Sequence, residues 1–199
     1  MIMTFHRTAG MAALAGALIF LNLAAAQDPV PQSDPKTSKA KTSSMPKSPD
    51  SKFVMEAAQG GMTEVKLGEL ASTNATSPEV KRFGQRMVDD HSKANEQLKS
   101  IASQKGIDLP TDVGSKNQAA YDRIAKLSGE EFDKAYMQLM VSDHKKDVSE
   151  FQKEATSGKD QDVKAFASTA LPTLQEHLRL AQNLNKLSEG ANSADRIKD

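Results

Sequence analysis

The feature that most constrains the fold is a pentapeptide that occurs twice inside long amphipathic runs. Met87-Val88-Asp89-Asp90-His91 returns as Met140-Val141-Ser142-Asp143-His144, each copy preceded by a glutamine, Gln85 or Gln138. Around the first copy the apolar residues are Val80, Phe83, Met87, Ala94, Leu98 and Ile101. Around the second they are Phe132, Tyr136, Met137, Met140, Val148, Phe151 and Ala155. Spacings of three and four residues lay such positions along one face of a helix, and both histidines fall on that face. An apolar stripe must be covered by another element, so the chain has to pack helix against helix.

The stops and starts fit that reading. Ser77-Pro78-Glu79 combines an N-capping hydroxyl, a proline at the first helical position and an acid favoured by the helix dipole. The helix it opens should end at Gly106. Ile107 to Gly114 is a loop marked by Pro110, and Ser115-x-x-Gln118 is a capping-box pattern for a short helix through Tyr121, Ile124 and Leu127. Ser128-x-x-Glu131 caps the third long helix, which Gly158 should end. The first long helix is predicted from about Lys52 to Ser72, with Phe53, Ala57, Val65 and Ala71 inward and Gly60-Gly61 interrupting it. The fourth is predicted from about Asp160 to Leu187, with Val163, Phe166, Ala170, Leu174, Ala181 and Leu184 inward. Pro172 removes one hydrogen bond and predicts a kink there. No strand pattern competes. The expected fold is all-α: an antiparallel four-helix bundle over residues 52–188, with a short extra helix between the second and third long helices.

Outside the bundle, residues 1–26 carry Arg7, an apolar run from Met11 to Leu23 and Ala24-Ala25-Ala26. They read as a secretory signal peptide cleaved before Gln27. The run is shorter than the ~20 apolar residues of a spanning helix, so no stable membrane insertion is expected after cleavage. Residues 27–51, rich in proline, serine and lysine, read as a disordered linker, and 189–199 as a polar tail. The expected location is periplasmic or secreted. The chain has no cysteine, which excludes disulfides, thiolate catalysis and a lipoprotein anchor. A formal net charge of +0 argues against a nucleic-acid partner, since phosphate binding calls for a basic excess.

A third acid–histidine pair, Glu176-His177, lies on the fourth helix. Glu64, His91, His144 and His177 all fall near the midpoints of their helices, so aligned helices bring them to a common depth within roughly 5 Å. Two readings follow. In one, His91, His144, His177 and Glu64 hold one transition-metal ion, since imidazole and carboxylate suit zinc, copper, iron or manganese. Asp90, Asp143 and Glu176 then support ligands on neighbouring helices, and Asp147, one turn beyond His144, joins them. In the other, buried imidazoles and carboxylates satisfy one another without an ion and fix helix register. Met87, Met137 and Met140 read as core filling.

The chain resembles a family of bacterial exported domains of unassigned function grouped with the ferritin-like bundles. The likeness rests on Gly61-Met62-Thr63-Glu64 with Leu67-Gly68-Glu69-Leu70-Ala71, both pentapeptides, Phe132-Asp133-Lys134-Ala135-Tyr136, and Leu171-Pro172-Thr173-Leu174-Gln175-Glu176-His177-Leu178. It runs from about Phe53 to Leu187 and implies a ferritin-like fold and an exported location, without an activity. The Glu-x-x-His of di-iron bundles is absent here, because Val88, Val141 and Leu174 stand three residues before the histidines. Three functions remain: a metal-binding envelope protein with a buffering or stress-related role, a metal-free protein that acts by binding a protein partner, or an enzyme that uses the mid-bundle site on a substrate the sequence does not identify. No glycine-rich phosphate loop or nucleophile turn points to a nucleotide, an organic cofactor or a hydrolase.

Overall fold

The computed structural model describes the backbone of residues 48–195 and the side chains of residues 48–188. The expected signal peptide, nearly all of the expected linker and the end of the expected tail lie outside the described residues. Those described form five helices and no strand: α1 Pro49–Asn74, α2 Pro78–Lys105, α3 Gly114–Ile124, α4 Gly129–Ser157 and α5 Gln161–Asp195.

Three boundaries differ from expectation. α1 starts at Pro49 because Ser48 caps it, its hydroxyl accepting the Ser51 N–H at 3.0 Å, so residues 49–51 belong to the domain. Ser48-Pro49-Asp50 is the same start signal as Ser77-Pro78-Glu79. α5 runs on to Asp195, through the stretch expected to be tail, and it passes Pro172 without a break, with that ring on the exposed face. The anticipated capping box at Ser115 does not form, since α3 begins two residues earlier than that cap implies, with Val113 as its N-cap and the Asp112 carboxylate accepting the Gly114 N–H at 2.8 Å. α2 ends as expected, in a left-handed Gly106 with φ 64.

α1 packs along α2, α4 packs along α5, and the two hairpins meet through α1 with α4 and α2 with α5. The α1–α2 contact is close because it is built on glycine. A Cβ on Gly68 would stand 2.5 Å from the Gly84 carbonyl oxygen, and one on Gly84 would stand 2.6 Å from the Ala71 Cβ. α3 lies on α1 and brings the chain back to the start of α4, placing Ile124 in the core.

Two buried carboxylates tie the hairpins together. Asp133, in the second turn of α4, accepts the N–H groups of Thr76 and Ser77 at 3.2 and 2.8 Å. Asp50, in the first turn of α1, accepts those of Lys159 and Asp160 at 3.1 and 2.8 Å. α1 and α4 are therefore pinned at both ends. Glu64 lies 14 residues beyond Asp50 (64 − 50) and His144 lies 15 before Lys159 (159 − 144). Their depths agree to one residue, about 1.5 Å.

The core has two apolar clusters. One gathers Leu67, Phe83, Met87, Phe132, Tyr136, Met137 and Met140. The other gathers Phe53, Val54, Leu98, Ala102, Val163 and Phe166. The inward positions of α1 are Phe53, Val54, Ala58, Leu67 and Ala71, whereas Ala57 and Val65 are half-buried. Between the two clusters lies a polar layer.

Candidate metal centre

That layer consists of Glu64 on α1, His91 on α2, His144 on α4 and His177 on α5, all buried. Ring centroids are 5.7 Å apart for His91 and His144, and 5.3 Å for each of the other two pairs. One nitrogen from each ring lies within 4.8 Å of the other two.

The partners fix the tautomers. His144 Nδ1 is 3.0 Å from the Met140 carbonyl oxygen, which can only accept, so Nδ1 carries the hydrogen and Nε2 presents a lone pair. His177 Nε2 donates to Asp90 Oδ2 at 2.9 Å. Burial, with the two neighbouring rings, pulls His177 down to about 4 against the pull of Asp90, so the ring is neutral at pH 7 and Nδ1 is its lone pair. His91 Nδ1 pairs with Glu64 Oε2 at 3.0 Å, and His91 Nε2 has no partner. Glu64 Oε1 also lacks a hydrogen-bond partner, and it lies 3.5 Å from His144 Nε2.

Burial pushes the Glu64 carboxyl up, but the attraction of the three imidazoles, His91 foremost, outweighs it and holds the group at about 2. Glu64 is thus ionised. Burial pulls His91 down, and the Glu64 charge more than reverses this, so His91 is raised above its ordinary range. His144 is lowered by burial.

The arrangement sets acceptor atoms against one another with no donor between them. His144 Nε2 and His177 Nδ1 face each other at 3.4 Å with a lone pair on each, and a carboxylate oxygen without a donor stands beside them. Tetrahedral ligands at about 2.0–2.1 Å from a metal stand ~3.3 Å apart, which matches that nitrogen pair. Each ring also commits its second nitrogen to an oxygen acceptor, as metal-bound histidines do. The residues present fit a small transition-metal ion.

The acids expected around the site divide. Asp90 reaches across from α2 to His177, and also takes Arg86 at 3.4 Å. Asp143 is half-buried and, among the described residues, has no hydrogen bond or ion pair to a histidine; burial and the Glu64 charge push it up to about 6, against Lys146, Lys116 and Arg123. Asp147 is half-buried in a cavity beside the cluster, pushed well up by burial and by Glu64. Glu176 is corrected: its carboxylate turns outward into a paired contact with Arg179 at 2.7 and 2.8 Å, so it supports no ligand. The residue before each histidine points ~100° around its helix, and on α5 that direction is solvent. Sequence reading missed the Met140 carbonyl that orients His144; the four-residue spacing on one helix was its only trace.

The family model described as Domain of unknown function (DUF4142) matches residues 34–184. The chain belongs to the DUF4142 family. No protein of curated function matches it. Among solved structures, this DUF4142 chain is similar to a DUF305 fragment from Deinococcus radiodurans at 13% identity and TM-score 0.62, covering 71% of this chain and 99% of that one. It is also similar to a secreted DUF305 protein from Streptomyces coelicolor at 14% identity and TM-score 0.61, covering 70% and 92%. A third is CopM in its Cu(II)-bound form, at 13% identity and TM-score 0.59, covering 69% and 95%. At these identities the likeness concerns the helical fold.

Proposed function

We propose that this DUF4142 chain is an exported metal-binding protein that holds one transition-metal ion between Glu64, His91, His144 and His177. The single observation behind the reading is the set of unpartnered atoms at the centre of the bundle. Two lone pairs facing each other at 3.4 Å and a buried carboxylate oxygen with no donor call for a cation, and the unpartnered His91 Nε2 would join them as a ligand on losing its proton. A metal-free network, the competing reading, leaves Glu64 Oε1 and His91 Nε2 unsatisfied, where buried polar groups are otherwise paired.

Imidazole and carboxylate donors suit Zn(II) and Cu(II), and the copper-bound state of CopM, a protein of similar fold, supports a copper ion. We take the four long helices as an antiparallel, ferritin-like bundle, a view supported by the two short-looped hairpins and the carboxylates that pin them. Export to the periplasm or beyond is supported by the N-terminal apolar run and by the secreted relative of similar fold. A buffering or stress-related role fits a buried ion.

The test is metal analysis of untagged protein, followed by titration with Cu(II) and Zn(II). About one equivalent should bind, and His91→Ala, His144→Ala and His177→Ala should each abolish most of it. Ions binding at one site also make the substitutions non-additive, so His91→Ala/His144→Ala should cost clearly less stability in metal than the two singles together. Failure of the wild type to bind either ion, with stability unchanged by added metal, would return the cluster to a structural role.

A further inference from the structure

Below the polar layer the bundle contains a cavity of about 210 Å3 that reaches Glu64, His91 and His177 from one side. It is open to solvent on its outer side, and its reach to the buried histidines needs a cause. The next layer of side chains supplies one. Where a core layer calls for large residues, this chain has Gly60 and Gly61 on α1, Ala94 on α2 and Ala170 on α5, with Asp147 from α4.

Gly60 is the most telling of these. A Cβ built there meets nothing within 4 Å, and its backbone is not left-handed, so neither packing nor conformation calls for glycine. Gly61, by contrast, receives the Asn95 side chain, whose Oδ1 would lie 2.2 Å from a Cβ. Asp147 lines the same space, and no described residue gives its carboxylate a hydrogen bond or a salt bridge. Exposed Thr169, Thr173, Gln97 and Lys93 also line the cavity, so it opens between α2 and α5.

We infer that this cavity is the chamber through which a hydrated cation reaches the three histidines, with Asp147 holding its water shell as the ligands replace it. The inference rests on the metal-binding reading and adds a route to it. Six waters at about 30 Å3 each occupy ~180 Å3, so the chamber admits an ion before it sheds its shell. A carboxylate without a protein partner accepts hydrogen bonds from those waters. Asp90 and Glu64 give the chamber an acidic inner wall, and Lys93 on the rim is an exposed side chain. His144 lines no part of it, so the ion meets His91 and His177 first and His144 last.

The experiment is stopped-flow transfer of Zn(II) from a chromophoric indicator to the full chain, with equilibrium affinity measured by the same indicator. Gly60→Leu, which extends a side chain into the chamber, should slow association at least tenfold and leave the equilibrium constant within about threefold. Asp147→Asn, close in size and safe for folding, should slow association severalfold and weaken its dependence on salt. Gly60→Ala serves as the control that stays folded and binds at close to the wild-type rate. If Gly60→Leu and Asp147→Asn both bind as fast as wild type, the route is wrong while the metal site stands. If Asp147→Asn lowers equilibrium affinity in proportion to its slower association, Asp147 is a ligand and the chamber is part of the site, which also overturns the inference. Absence of Zn(II) binding by the wild type would instead remove the metal reading itself.

Discussion

Replacing Asp133 by alanine tests whether the pinned hairpins set the depth of the polar layer. The carboxylate is buried and accepts two backbone N–H groups, from Thr76 at 3.2 Å and Ser77 at 2.8 Å. A hydrogen bond to a charged acceptor contributes roughly 1.5–3 kcal/mol, and the one from Thr76 is long enough to count less. Alanine also strands both donors at the start of α2. The expected loss is about 2–4 kcal/mol, near 5–15 °C in Tm for a domain in which 1 kcal/mol moves Tm by ~2–4 °C. Urea unfolding followed by far-UV circular dichroism measures it. Asparagine keeps one acceptor oxygen and should recover about half. Asp50→Ala removes the matching pin on Lys159 and Asp160 and should cost a similar amount. The pins lie on different hairpin ends, so the two losses should add. An Asp133→Ala protein within 0.5 kcal/mol of wild type, or no difference between alanine and asparagine, would refute the idea that this carboxylate sets the register.

Other perturbations separate the remaining forces. His177 sits at about 4, below its ordinary 6.5, because burial disfavours its charge. As pH falls from 6.5 to 4 the unfolded chain takes up a proton that the folded chain refuses, so stability falls; in metal-free protein the loss over that window should be shallower in His177→Gln by roughly 2–3 kcal/mol in urea unfolding. Asp143 has the opposite sense: pushed up to about 6 from 3.8, its charge weighs on the fold at neutral pH. Asp143→Asn should therefore stabilise by about 1–3 kcal/mol at pH 7 and lose that gain by pH 4, as unfolding curves at the two pH values would show. Gly68→Ala drives a Cβ to 2.5 Å from the Gly84 carbonyl and should cost about 2 kcal/mol, whereas Gly60→Ala meets nothing and should gain about 1 kcal/mol from helix propensity; thermal melts of the two distinguish close approach from open space.

The helices were legible because their apolar spacing and their starts carry direct physical signals. Ser77-Pro78 and Gly106 mark the ends of α2 as the structure has them. Ser48-Pro49-Asp50 carries the same start signal, but lies among the prolines of a segment read as linker, and composition over a window masked it. The common depth of Glu64, His91, His144 and His177 was also legible, since it depends only on position along each helix. What lies on either side of a helix does not. Asp90, Asp143 and Glu176 each precede a histidine, yet one meets His177, one faces the charges of α3 and one faces water. Their shared sequence context hides this, because the handedness with which the helices surround one another is set by the whole bundle. The cavity was illegible for the same reason: Gly60, Ala94 and Ala170 become a layer only when three helices are superposed.

The position of the polar layer bears on what an ion would contribute. Small zinc domains fold only around their metal, because they lack an apolar core of their own. Here two apolar clusters enclose the layer from both ends, and Asp50 and Asp133 fix the depth of α1 against α4 without help from the histidines. The donor atoms are consequently brought together before any ion arrives. His144 is already oriented by Met140 and His177 by Asp90, so the ion does not have to order the rings. Affinity that would otherwise be lost to ordering is retained, which is the physical meaning of a preorganised site. The same preorganisation has a cost in the metal-free protein, where Glu64 Oε1 and His91 Nε2 stay without partners. Relief of that cost on binding would couple ion occupancy to the stability of the whole domain, so an ion held there would act as a clamp on a fold that forms without it.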